Sequence, residues 1–151
     1  GIRDYKVTGV QTCALPIFLY ETPSMAEGNM GWAYYKSGAV ERGLRHLRNA
    51  VATNPKFCRG YEWLMRIGLE RSTAAVVVKN GKRFERYCAA DAKIAASVQP
   101  EYIREIRYYL GLGHLQSGDP ISARVTFQSC AETLADEGFG QKCQASLSSL
   151  K

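Results

Sequence analysis

Apolar and small residues recur in the same order at two places in this chain. The stretch NMGWAYYKSGAVERGLRHLRNAVATNP, from Asn29, and the stretch YLGLGHLQSGDPISARVTFQSCAETLA, from Tyr109, align without a gap. They pair Met30 with Leu110, Gly31 with Gly111, Ala33 with Gly113, Tyr34 with His114, Leu47 with Phe127 and Ala50 with Cys130. Each copy is divided by a polar turn, Ser37-Gly38 in one and Ser117-Gly118 in the other, which predicts two antiparallel helices joined by a tight reversal. Packing accounts for the choice of residues: a small side chain at Gly31 or Gly111 lets the helices approach, and Leu47 or Phe127 fills the space between them. Pro55 stops the second helix of the first copy, as proline does just beyond a helix end. Downstream, Phe139, Cys143, Leu147 and Leu150 recur at three- and four-residue spacing, which predicts a terminal capping helix.

The order of these residues resembles the tetratricopeptide repeat, a helix-turn-helix unit of about 34 residues. At that period a weaker copy lies between the two strong ones, with Leu64, Met65 and Gly68 opposite Met30, Gly31 and Tyr34. In this register the middle unit has one helix over 58–69, a turn at ERST and a second helix over 73–88, although Asn80-Gly81 inside it disfavours helix. A surplus stretch, 89–100, is read as an insertion between units. The last unit begins near Glu101, and Pro120 opens its second helix with Asp119 as N-cap. The resemblance implies an all-α fold of about three hairpins, roughly 24–57, 58–91 and 101–135, closed by a cap at 139–150. It departs from the family at Glu27, where tryptophan is usual, and at Ala135, which replaces the closing proline. Because stacked repeats bury faces that one unit leaves exposed, the chain is expected to be part of a longer α-solenoid.

The first residues lie outside this pattern. GIRDYKVTGVQTCALPI, residues 1–17, has no sustained periodicity and no secretory signal organisation. Gly1 to Asp4 and Val7 to Ile17 resemble the translated constant blocks of a sequencing-library adapter, with Tyr5 and Lys6 filling its index. The segment is therefore expected to be a non-native, disordered tail, and the repeat domain to occupy 18–151. Setting aside Arg3, Asp4 and Lys6 lowers the formal charge of +6 by one, a mild basic excess that favours acidic partners weakly. No apolar run approaches membrane-spanning length. Setting aside Cys13 leaves Cys58, Cys88, Cys130 and Cys143. In the repeat register Cys58 opens the first helix of the middle unit and Cys88 ends the second, and Cys130 faces the capping helix that carries Cys143. Both pairs are compatible with disulfides. The alternative, four buried thiols packing as small hydrophobes, stands beside that reading.

Catalytic motifs are not found. There is no phosphate-binding glycine loop, zinc-protease motif or nucleophile elbow. His46, expected on an exposed helix face, and His114, at a position usually aromatic, lack the partners that acid-base chemistry needs. No two cysteines have the spacing of a metal knuckle, so neither a metal nor a cofactor is expected. The basic stretch KNGKRFER reads as a solvated helix face, and no aromatic platform accompanies it for nucleic acid. The family resemblance instead implies a peptide or protein partner on the concave face made by the first helix of each unit. The residues it places there are Met25, Gly28, Trp32 and Tyr35; Arg59, Glu62, Arg66 and Leu69; and Glu105, Tyr108, Leu112 and Leu115. Trp32, Tyr35, Arg59, Glu62, Arg66, Tyr108 and Leu112 form the candidate hot spot. Trp32 stands where the asparagine of the chaperone-tail carboxylate clamp would be. AEGNMGWAYYKSG, NPKFCRGYEWL and GQKCQASL also look like the outer-membrane pilotin-type repeat lipoproteins of type IV pilus systems. That second resemblance implies a periplasmic scaffold assisting secretin assembly, held to the membrane only by a lipid upstream of the residues present. The competing reading is a cytoplasmic regulatory or RNA-associated repeat domain.

Overall fold

A computed structural model describes residues 22–131 and 138–150; the adapter-like residues 1–17 and Ala135 lie outside them. All regular structure among the described residues is helical, as the repeat predicts. The chain divides into two compact units, Gly1–Phe57 and Cys58–Lys151, taken in turn.

The first unit is a hairpin of α1, Pro23–Lys36, and α2, Val40–Thr53. Proline sits in the first turn of α1, where its missing N–H costs no hydrogen bond. The reversal follows from Gly38 at φ 90°. In that left-handed conformation the Gly38 N–H reaches the Tyr35 carbonyl at 3.0 Å and the Ala39 N–H reaches that of Tyr34 at 2.9 Å, satisfying carbonyls that a helix end leaves orphaned. Gly31 lies against Leu47 as predicted, and a Cβ there would also stand 2.9 Å from the Gly43 carbonyl oxygen. Gly43 is equally constrained, since its own Cβ would lie 2.7 Å from the backbone of both Gly31 and Tyr35. Leu44, Leu47, Ala50 and Val51 are buried. Asn54, just before Pro55, is extended, as a residue preceding proline prefers, and α2 ends there.

The second unit holds α3, Cys58–Glu70, and α4, Ala74–Phe84, followed by a π-helical turn at Glu85–Ala89; then α5, Ala92–Ser97, α6, Pro100–Gln116, α7, Pro120–Ala131, and α8, Phe139–Ser149. Three boundaries differ from the sequence reading. The helix expected over 73–88 is α-helical only to Phe84 and then widens into the π turn that carries Cys88. The insertion at 89–100 contains a short helix, because the Asp91 carboxylate accepts the N–H groups of Lys93 and Ile94 and caps it. Pro100 starts α6 instead of ending the insertion, a position suited to its fixed φ. Asp119 caps α7 as predicted, accepting the Ser122 N–H at 2.9 Å.

Two exchanges of size explain why the α3–α4 hairpin matches the repeat poorly. In the α6–α7 hairpin Gly111 faces Phe127, whose ring a Cβ at Gly111 would overlap. In α3–α4 the corresponding pair is Met65, fully buried, and Gly81, whose Cβ would come within 3.0 Å of Met65 Cε. A second pair behaves alike: Gly68 faces Val77, at 2.8 Å from the Cβ it lacks, where the other hairpins have Tyr34 with Gly43 and His114 with Ala123. The large and small members have traded helices while each pair still fills its space.

Candidate functional site

In the second unit α3 and α6 are neighbouring first helices, and each carries three residues at the same spacing. On α3 these are Arg59, Glu62 and Arg66; on α6 they are Tyr102, Glu105 and Tyr109. Spacing of three and then four residues puts each trio on one helix face. Glu62 is buried, and its Oε1 accepts from Arg66 Nη1 at 3.4 Å. Tyr109 donates its hydroxyl to Glu105 Oε1 at 2.6 Å. Burial first, and then the Glu62 carboxylate, pushes the Tyr102 phenol well above its ordinary range. Burial and the hydrogen bond to Glu105 do the same for Tyr109. Both phenols therefore remain protonated donors at neutral pH, and both carboxylates have partners inside the cluster. What the cluster turns outward is cationic: Arg59 is exposed, and the Arg66 side chain keeps 42% of its accessible surface. Arg59 lines a hollow with Cys58, Val98, Gln99 and Tyr102.

Tyr108 and Leu112 face elsewhere. Both pack against the buried cluster of Ala123, Phe127, Cys130 and Cys143, as does Leu115. The Tyr108 ring lies 6.1 Å from that of Phe127 and 5.7 Å from that of Phe139, so the first residue of the capping helix α8 packs against it. Glu101 helps to seat that helix, its Oε1 accepting the Phe139 N–H at 2.5 Å. That bond, acting ahead of the Arg104 side chain, holds the Glu101 carboxyl below the ordinary range. The approach needs Gly138, whose φ of 81° and missing Cβ leave room for the carboxylate.

In the first unit Trp32 and Tyr35 stack at 5.6 Å on α1, both half-buried. His46 differs from its expected exposed position. Its Nδ1 is hydrogen-bonded to Glu27 Oε1 at 2.9 Å, its ring stacks on Tyr34 at 5.3 Å, and its side chain is only 16% exposed. Glu27, the departure from the family pattern, is the residue that holds it. His114 is buried, and burial lowers its pKa despite the Asp119 carboxylate at 3.8 Å.

The structure joins Cys58 to Cys88 and Cys130 to Cys143, with Cα separations of 5.9 and 6.0 Å. Among the described residues no group of three His, Cys, Asp or Glu side chains could hold a metal ion, and no helix is long and apolar enough to cross a membrane. Tyr102 and Tyr109 were missed in the sequence because neither falls at a repeat position assigned to the face. Their seven-residue separation, with Glu105 between them, is the signal that marks them.

No family model matches the chain, and no curated protein matches it. Among solved structures the chain is similar to the N-terminal domain of stress-induced protein-1 (STI-1) from C. elegans. The likeness has a TM-score of 0.66 at 17% identity and covers 81% of this chain and 92% of that one. The fold is thus an all-α, tetratricopeptide-like helical repeat.

Proposed function

We propose that the chain is a non-catalytic scaffold that holds a protein partner through side chains on the first helices of its hairpins. The observation that carries this reading is the α3–α6 cluster. Its carboxylates are used internally, by Arg66 and Tyr109, and the exposed Arg59 stands at its edge beside a hollow. Arginine and tyrosine held in place by packing are the residue types that dominate interface energetics. Trp32 and Tyr35, pre-stacked on α1, are a second anchor of the same kind, since rigid aromatics lose little freedom on binding.

A more specific reading assigns the scaffold to secretin assembly in a type IV pilus system, on the periplasmic side of the outer membrane. Its support is the likeness of AEGNMGWAYYKSG, NPKFCRGYEWL and GQKCQASL to pilotin-type repeat lipoproteins, together with two cysteine pairs at bonding separation, which persist in oxidising compartments. The test is co-purification from the source cells with the unsubstituted protein and with Trp32→Ala plus Arg66→Ala. One protein is expected with the first and is lost with the second, each truncation costing about 1 kcal/mol or more. Arg45→Ala plus Arg48→Ala, on the outer helix, should keep it. Equal recovery from both variants would move the site off these helices, and recovery of a cytoplasmic protein in place of a secretin would remove the pilus assignment alone.

A further inference from the structure

The basic stretch on α4 has charge left over that the fold does not use. Lys79, Lys82, Arg83 and Arg86 recur at three- and four-residue steps and so form one stripe, about 10 Å long, along α4 and the turn after it. Lys79, Lys82 and Arg86 are exposed and Arg83 is half-buried. Elsewhere in the same unit three arginines hold carboxylates: Arg66 holds Glu62, Arg104 holds Glu101 and Arg107 holds Glu85. None of the four stripe cations holds a carboxylate within ion-pairing distance among the described residues. Glu85, which lies within the stretch, is held by Arg107, and Asp119 accepts the Ser122 N–H while it is close enough to Lys82 to feel its charge.

We propose that this stripe docks the protein on an anionic phospholipid surface. Its chemistry favours headgroups over nucleic acid. Asn80, the amide that would read a base edge, is buried and donates to the Val76 carbonyl at 2.8 Å. Phe84, the aromatic that would stack on a base, is 1% exposed and lies edge-on to Tyr102. Cations with no base-reading or stacking group between them bind phosphates through charge alone and lack the contacts that sequence readout and single-strand stacking use. The two disulfides point the same way, because such bonds persist outside the cytosol and nucleus, where cellular RNA is concentrated. The exposed residue preceding the stripe is the small Ala75, which offers nothing to insert, so binding is electrostatic and reversible.

The test is co-sedimentation of the oxidised full chain with vesicles of phosphatidylcholine and phosphatidylglycerol in equal parts. The protein should bind these and ignore vesicles of phosphatidylcholine alone, and raising the salt should release it. Each cation near a charged bilayer contributes roughly a fivefold factor. Lys79→Gln, Lys82→Gln and Arg86→Gln together should therefore weaken binding about a hundredfold, while Lys36→Gln, which removes a charge from α1, should change it less than about twofold. Circular-dichroism melts report whether the triple variant folds; if it does not, the Lys79→Gln, Arg86→Gln pair replaces it with about a 25-fold loss expected. Unchanged binding by a folded variant, equal binding to neutral vesicles, or displacement by polyuridylate at lower phosphate concentration than the lipid would each overturn the proposal, the last in favour of RNA.

Discussion

The α6–α7 hairpin places glycine on its first helix and phenylalanine on its second, whereas α3–α4 places methionine on the first and glycine on the second. The two also differ at their turns. Gly118 reverses the chain at φ 76°, while Ser72 occupies the equivalent place at φ 52° and makes the same kind of closing bond, Thr73 N–H to the Gly68 carbonyl at 2.8 Å. They differ in covalent support as well: Cys58–Cys88 ties the two ends of α3–α4 together, but the bond from Cys130 runs out of its hairpin to α8. What the difference teaches is that a repeat position conserves filled volume between helices, not a residue. Once the large residue moves to one helix, the small one must move to the other.

Single substitutions that undo one half of an exchange should have the largest effects. Met65→Gly would empty a fully buried site and add a helix glycine, at about 4 kcal/mol. Gly111→Leu would overfill its counterpart, at roughly 1 to 3 kcal/mol. Urea unfolding measures both. The double variant Met65→Gly, Gly81→Leu should cost less than the two single changes added, but not return to the starting stability, because Gly81 also lies against Leu110. Strict additivity would mean that the pair is not coupled.

Removing the staple from α3–α4 comes next. Cys58→Ser with Cys88→Ser opens a loop of sequence separation 30 and should lower stability by about 3 kcal/mol, seen as a lower denaturation midpoint. An unchanged midpoint would mean that the exchanged core holds this hairpin without covalent help.

Ser72→Gly goes in the opposite direction. A non-glycine residue in the left-handed region carries strain that glycine does not, so this change should stabilise by about 1 kcal/mol. A similar gain from Gly118→Ser would contradict the argument, which requires a loss there.

The smallest expected effect concerns His114, which occupies the repeat position of Tyr34 and Gly68. Burial lowers the His114 pKa below its usual value of 6.5, so the unfolded chain takes up this proton first as the pH falls. The contribution is constant above about pH 6.5; stability then declines as the pH drops from there toward the depressed folded-state pKa. Melting temperatures measured between pH 7.5 and 5 should fall more steeply for the native protein than for His114→Gln. Parallel curves would show that this histidine does not titrate differently on folding.

Much of the fold was legible because the repeat writes its constraints locally. Gly31 with Leu47, Gly111 with Phe127, the serine-glycine turns and the prolines each act within one hairpin, where sequence order sets the distance. The second exchange was not legible, since pairing Gly68 with Val77 requires knowing which faces of α3 and α4 meet. For the site, Arg59, Glu62 and Arg66 were readable at helical spacing, but Tyr102, whose phenol meets the Glu62 carboxylate, comes from another hairpin.

By itself, then, the amino-acid order determined that the chain forms paired helices, where they turn, and which cysteines can approach one another, because short-range sterics and apolar periodicity suffice for that. Only the tertiary structure decided that Glu62 is buried, that Tyr108 and Leu112 pack against the cluster around Phe127 and Cys143, that His46 leans on Glu27, and that the α4 cations hold no carboxylate among the described residues. Each of those depends on which side chain from a distant segment arrives beside it, and burial and charge pairing are properties of that meeting.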